Sequence, residues 1–370
     1  MRAKIVVAAA TDAAEEVVVR EEDRDVGVTD RFESYVRWRG HDVRYVRCGK
    51  VSAKTQVLFL PGFGVGAFHY EANVTGLGNE ETCAYALDFV GQGSSWPIEG
   101  TRAEDGFEYS VETWAAQVEF FCREVIQKEC YVAGNSLGGY VATLVAARSR
   151  ELVRGLVLMN ATPFWAFVPN DPTSIGSRLA PWRGAMPAPK WVTGLISTYW
   201  ENFRSNANVR GLLSLVYANA NAIDDELVNN IITPTNNSNA LATFCSVVWS
   251  PKSQLSFDEA LERIRTDDVN VCMVYGKEDP WVVPLWGQRL KRAVPRAVYY
   301  EISPCGHCPA HERPETVNDI LASYIRYCES GSVGLPPVRS ADGFGNLVDG
   351  SPRNIFERID AMRASASASS

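Results

Sequence analysis

From residue 57 onward, short apolar runs alternate with stretches whose apolar residues recur every three or four positions. The runs are Val57-Leu58-Phe59-Leu60, Cys83-Ala84-Tyr85-Ala86-Leu87, Cys130-Tyr131-Val132-Ala133, Gly155-Leu156-Val157-Leu158-Met159, Val271-Cys272-Met273-Val274-Tyr275 and Val298-Tyr299-Tyr300-Glu301-Ile302. Continuous apolar runs of this length read as strands covered on both faces, the situation in a parallel sheet. The first stops at Pro61-Gly62 and the second at Asp88 and the glycines at 91 and 93. Between them, residues 111–128 put Trp114, Val118, Phe121, Cys122 and Val125 on one helical face. Residues 314–327 do the same with Val317, Ile320, Leu321 and Tyr324. Strands alternating with amphipathic helices predict an α/β architecture, a mostly parallel sheet flanked by helices.

The rhythm stops between Met159 and Val271. That interval reads as helical and holds Trp165, Trp182, Trp191, Trp200 and Trp249, half of the chain's ten tryptophans. It predicts a helical cap inserted after the strand ending near Met159, laid over the sheet edge where open α/β sheets bind ligands. The expected layout is a flexible segment over 1–30, a core from 31–162 and 256–328, a cap over 163–255 and a disordered Gly/Pro/Ser-rich tail over 329–370.

Composition narrows the function. A length of 370 residues suits one elaborated domain plus tails, and 46% hydrophobic residues is a globular content. The longest apolar runs fall well short of the roughly 18 residues that span a bilayer. A net charge of −8 argues against a nucleic-acid partner and against broad docking on an anionic membrane. Nine scattered cysteines indicate a reducing compartment. The acidic start (Glu15, Glu16, Glu21, Glu22, Asp23) does not read as a secretory signal or an intact transit peptide.

The chemistry centres on Gly134-Asn135-Ser136-Leu137-Gly138, a G-x-S-x-G sequence between an apolar strand and an amphipathic helix. Such a turn lifts the Ser136 hydroxyl onto a helix N-terminus, where negative charge is favoured. A serine hydroxyl needs a base, and the base needs an orienting carboxylate. In the α/β-hydrolase fold these follow the nucleophile in the order Asp or Glu, then His. Of four histidines, His307 follows the last core strand in Ser303-Pro304-Cys305-Gly306-His307 and is the expected base, with His311 the nearest rival. The acid is expected after the strand that follows the cap, in Tyr275-Gly276-Lys277-Glu278-Asp279-Pro280. Asp279 is the natural choice and Glu278 the alternative.

An oxyanion hole needs two backbone N–H groups. Leu137 supplies one, and Phe63, in the loop Pro61-Gly62-Phe63-Gly64-Val65-Gly66, supplies the other. The turn at 88–94 reads as structural. His69 either lines the cleft or caps a helix. Cys305 and Cys308 could pair under oxidation and distort the His307 loop. A zinc site built from Cys305, His307, Cys308 and His311 is disfavoured, because the base already claims His307. No metal or cofactor is expected.

These residues carry a resemblance. Leu60 to Tyr70, Gly134 to Val141, Asn160-Ala161-Thr162-Pro163-Phe164-Trp165, Tyr275 to Val282 and Ser303 to Pro309 resemble the pheophytinases, plastid α/β-hydrolases that remove phytol from pheophytin. The match runs over roughly residues 50–328. It departs at Cys305, where alanine is expected, and at Ala310-His311-Glu312, which differs from the usual acidic run. The resemblance implies Ser136 as nucleophile, His307 as base, Asp279 as acid, a stromal chloroplast location and peripheral contact with thylakoid pigment complexes. Substrate contacts are expected from His69, Phe164, Trp165 and Trp281. The same triad would also serve chlorophyll dephytylation or a general lipophilic carboxylesterase. A silent tetrapyrrole carrier would have no use for it, and a dehalogenase or epoxide hydrolase would need Asp at 136.

Overall fold

The structure is a computed structural model that describes residues 27–97, 109–161, 190–248, 253–331 and 346–349. Phe164 and Trp165, with Trp182 and Trp249, lie outside the described residues, as do 1–26 and most of 332–370. The strands are β1 Phe32–Trp38, β2 His41–Cys48, β3 Thr55–Leu60, β4 Thr82–Leu87, β5 Trp96–Pro97, β6 Cys130–Asn135, β7 Val153–Met159, β8 Asn270–Gly276, β9 Val298–Ser303 and β10 Asn346–Asp349. They form one sheet in the order β1-β2-β4-β3-β6-β7-β8-β9-β10, with β5 paired to β2. The stretch β4-β3-β6-β7-β8-β9 is parallel throughout. Every residue of β3 and β6 is buried, as a centre strand covered on both faces requires.

The antiparallel pair β1–β2 is not announced by any apolar run. Its residues alternate, with Tyr35 and Arg37 outward and Val36 and Trp38 inward, and it closes through Arg39 (φ 46°) and Gly40 (φ 78°). Two central residues at positive φ make a primed turn whose twist matches the strands it joins.

The helices are α1 Glu71–Leu77, α2 Val111–Phe121, α3 Leu137–Arg148, α4 Lys190–Phe203, α5 Asn206–Val216, α6 Asp225–Ile232, α7 Ala240–Val248, α8 Phe257–Thr266, α9 Pro284–Ala293, α10 Pro309–Glu312 and α11 Pro314–Ser330. On one sheet face Trp114, Phe121, Val141, Leu144, Phe257 and Leu261 bury against the strands; on the other, Val74, Val317, Ile320, Leu321 and Tyr324 do so. Each such side chain contributes about 1.5–3 kcal/mol on burial. The helix predicted over 111–128 is α-helical to Phe121, then loosens into a π turn, Cys122–Ile126, ending on Gln127 at φ 57°.

Helices α4 to α7 lie between β7 and β8. Val209, Leu213, Val216, Tyr217, Leu227 and Val228 make a small apolar cluster of their own, which takes in Cys308 from the sheet side. A second contact is aromatic. Trp200 and Phe203 pack on Phe244, and Phe244 lies 5.6 Å from Phe63, just past the end of β3. The chain re-enters the core at α8 through a capping box, in which Ser256 and Glu259 satisfy each other's backbone N–H. Among the described residues no helix is long and apolar enough to cross a membrane.

Candidate active site

Strand β6 runs into α3 through Ser136, held at φ 51° and ψ −117°. A non-glycine residue in that region stores on the order of 1–3 kcal/mol, which the surroundings must enforce. They do so by close approach. A β carbon on Gly134 would sit 2.3 Å from the Gly138 carbonyl oxygen, and one on Gly138 would sit 2.2 Å from that of Leu60. The Ser136 N–H donates to Met159 O at 3.1 Å, fixing the turn to β7. Ser136 is half-buried while the residues flanking it are buried. Asn135, beside it, donates through Nδ2 to Met159 O at 2.9 Å and to His307 O at 2.8 Å.

His307 and Asp279 are in direct contact, Nδ1 to Oδ2 at 2.6 Å. The same Oδ2 accepts from Asn160 Nδ2 at 2.7 Å; Oδ1 accepts from the N–H groups of Trp281 (2.8 Å) and Val282 (3.1 Å). Burial raises the Asp279 carboxyl's pKa, but the bonds from His307, Val282 and Trp281 outweigh it and leave the group below its ordinary value. An ionised Asp279 on Nδ1 leaves Nε2 of His307 as the free lone pair, the tautomer a general base needs. Glu278 takes a different direction. It is exposed and accepts from Ser303 Oγ at 2.6 Å and from the Cys305 N–H at 2.8 Å, bracing the loop that carries His307. The structure thus brings His307 onto Asp279 and ties its carbonyl to Asn135, next to Ser136. Among the described residues no hydrogen bond joins the Ser136 hydroxyl to the imidazole; such bonds are often long before substrate arrives.

The loop after β3 approaches the elbow closely: a β carbon on Gly62 would lie 3.6 Å from Ser136 Cβ. Gln92 Oε1 accepts the Gly64 N–H at 2.6 Å, while buried Asp88 accepts the N–H groups of Ala67 (2.5 Å) and Ser94 (2.7 Å). The turn at 88–94 therefore anchors this loop. The N–H groups of Phe63 and Leu137 have no acceptor among the described residues, whereas that of Gly64 is taken by Gln92.

Of the expected substrate contacts, Trp281 is 53% exposed and sits edge-on to His307 with ring centroids 5.6 Å apart. His69 is buried on the turn Ala67–Tyr70, its Nε2 3.3 Å from the Tyr217 hydroxyl and its ring stacked 4.7 Å from His311. Burial, with His311 and His307 nearby, pushes its imidazole well below the ordinary histidine value. Among the described residues it makes no helix-capping bond. It borders a polar cavity of about 710 Å³ with Arg31, Arg44, Asp224 and His311, whose lining does not include Ser136. Phe63, Trp96, Trp200, Thr243 and Phe244 line a separate, largely apolar pocket of about 70 Å³. Cys305 and Cys308 are both free and buried.

A family profile described as the alpha/beta hydrolase family matches residues 57–320. The chain is an α/β hydrolase. Among the relatives of this hydrolase, the chloroplastic pheophytinase of Arabidopsis thaliana is 42% identical over 307 residues, 76% of this chain and 63% of that protein. The chain therefore spans somewhat under two thirds of that relative. The human (lyso)-N-acylphosphatidylethanolamine lipase is 24% identical over 72% of the chain and 78% of its own length. A serine hydrolase of carbazole degradation superposes with a TM-score of 0.58 at 19% identity, covering 80% of this chain and 99% of that one. A bacterial membrane phospholipase A does so with a TM-score of 0.62 at 20% identity, covering 82% and 88%. These likenesses show the fold.

Gln92, Asn135, Asn160 and Glu312 were not singled out as functional by sequence reasoning. Asn135 lies inside the G-x-S-x-G pentapeptide, so its position could have drawn attention. Asn160 follows β7 directly at φ 37°, a conformation no sequence pattern announces.

Proposed function

We propose that this hydrolase is a serine carboxylester hydrolase that removes the phytyl ester from pheophytin, giving pheophorbide and phytol. The observation that carries the substrate is the 42% identity to the Arabidopsis pheophytinase across most of the chain. In this reading Ser136 Oγ attacks the ester carbonyl as His307 Nε2 takes its proton and Asp279 steadies the imidazolium. The N–H groups of Phe63 and Leu137 receive the developing oxyanion. His307 then returns the proton to the departing phytol oxygen, leaving an acyl group on Ser136. Water, deprotonated by His307, attacks that acyl group; as the acyl–Oγ bond breaks, His307 returns the proton to Ser136 Oγ and pheophorbide is freed. Nothing in this sequence of steps calls for a metal or cofactor.

Trp281 at the imidazole, with Phe164 and Trp165, would contact the substrate, and the Phe63, Trp200 and Phe244 surface suits its hydrocarbon part; His69, buried against Tyr217 and His311, is not placed to do so. A chloroplast stromal location, with contact at the periphery of thylakoid pigment complexes, accompanies that substrate.

The test is phytol release from pheophytin a and chlorophyll a, side by side, by wild type and Ser136→Ala. Release from pheophytin alone, lost in the variant, is the expected result. Equal release from both pigments would keep the esterase and discard the selectivity. Hydrolysis of a short p-nitrophenyl ester with neither pigment touched would refute the pigment substrate.

A further inference from the structure

We propose that Glu312 is a positioning residue that keys the His307 loop to the inserted helices, holding the imidazole in register only while residues 216–219 are docked. The inference rests on the reading of His307 as the base. Glu312 is 4% exposed, and its two carboxylate oxygens serve two different segments. Oε1 accepts the N–H groups of Gly306 (3.0 Å) and Cys308 (3.3 Å), the residues on either side of His307. Oε2 accepts those of Ala218 (2.8 Å) and Asn219 (3.1 Å), in the chain that follows α5. One buried carboxyl group thus satisfies four backbone donors, and neither segment can withdraw without stranding its own.

Other contacts lie in the same seam. The N–H of His307 donates to Val216 O at 2.8 Å, so the residue carrying the imidazole bonds the end of α5 itself. The segments pack so closely that a β carbon on Gly306 would lie 2.1 Å from Val216 O. The Tyr217 hydroxyl reaches between His69 Nε2 and His311 Nδ1, at 3.3 Å from each. Burial raises the Glu312 carboxyl above its ordinary value, and the four N–H groups work against that rise. Glu312 does not touch Asp279 or Ser136; it acts on the reaction through the backbone that carries His307.

The two-oxygen arrangement makes a discriminating variant available. Glu312→Gln keeps the side chain's length and one acceptor but turns an NH2 toward one pair of N–H donors, so one segment loses its hold. Asn219→Pro works from the other side: it removes the 219 N–H donor, together with the Oδ1 cap on the Asn221 N–H, and leaves the His307 loop's own bonds to Glu312 in place. The assay is hydrolysis of p-nitrophenyl butyrate, which reports the serine chemistry whatever the native ester. Rates are expressed per active site titrated with a fluorophosphonate, alongside thermal melts.

Glu312→Gln is expected to lower kcat per titrated site about 10- to 100-fold, the loss an ångström-scale misplacement causes, with KM within about 3-fold of wild type. Asn219→Pro should lower kcat by a smaller factor. A fall in titratable sites with unchanged kcat per site would make Glu312 merely structural and overturn the proposal. So would a Glu312→Gln enzyme within twofold of wild type. If Glu312→Gln does not fold, Asn219→Pro decides: an unchanged kcat overturns the proposal. A wild type inert toward the ester would overturn the hydrolase reading, and this one with it, whereas an active wild type beside unaffected variants overturns this one alone.

Discussion

The two sides of the candidate site are held by different physics. The Ser136 side is steric and local: a strand, a strained serine and a helix that follow one another directly in the chain are forced together by glycines that leave no room for a β carbon. The His307 side is polar and long-range. The loop from Ser303 to Cys308 is fixed by three carboxylates, with Asp279 on the imidazole, Glu278 on Ser303 and Cys305, and Glu312 on Gly306 and Cys308. A steric side tolerates no change at its contact points. A polar side loses function in steps, according to which bond is removed and how buried it is.

Substitutions on each side break or sharpen that contrast. The largest effect belongs to the proposed nucleophile: Ser136→Ala should reduce kcat for any ester by about 10⁴- to 10⁶-fold with the fold intact, measured by initial rates and circular dichroism. Asp279→Asn should follow at about 10³- to 10⁴-fold, because the amide no longer selects the tautomer that leaves Nε2 free.

The same pair gives a pH test. The folded Asp279 titrates below its ordinary value, so its stabilisation is fully present above the unfolded value near ~4 and is lost as pH falls through the folded one. The melting-temperature gap between wild type and Asp279→Asn should be constant around neutrality and close under acid conditions. A gap that widens in acid would reverse the sign.

Gly138→Ala probes the steric side. Alanine ordinarily gains about 1 kcal/mol over glycine inside a helix. Here the new β carbon meets the Leu60 carbonyl at 2.2 Å, so a net loss of about 1–3 kcal/mol is expected, read from denaturant melts. Stabilisation would show that the elbow can give. The smallest effect is Glu278→Gln: its carboxylate is exposed and its bonds compete with water, so kcat should stay within about threefold.

The contrast also explains how far the sequence could be read. The parallel strands were legible because each is a continuous apolar run, the direct consequence of burial on both faces. The β1–β2 hairpin was not: β1 alternates, and Asp42, Arg44 and Arg47 interrupt any apolar run in β2. The elbow was legible because sterics act between neighbours, and Asp279 and His307 because each lies in the short loop after a strand. Glu312 and Gln92 stayed hidden: one serves N–H groups 94 and 93 residues away, the other an N–H 28 residues away, and backbone donors leave no side-chain signature.

The central claim is that Ser136 is activated by the Asp279–His307 pair. It is tested most directly by the rate at which a fluorophosphonate labels the protein, with the adduct located by peptide mapping, in wild type and Asp279→Asn. The account predicts a single adduct on Ser136 that forms rapidly in wild type and orders of magnitude more slowly in the variant. Labelling at another residue, or equal rates in the two proteins, would contradict it.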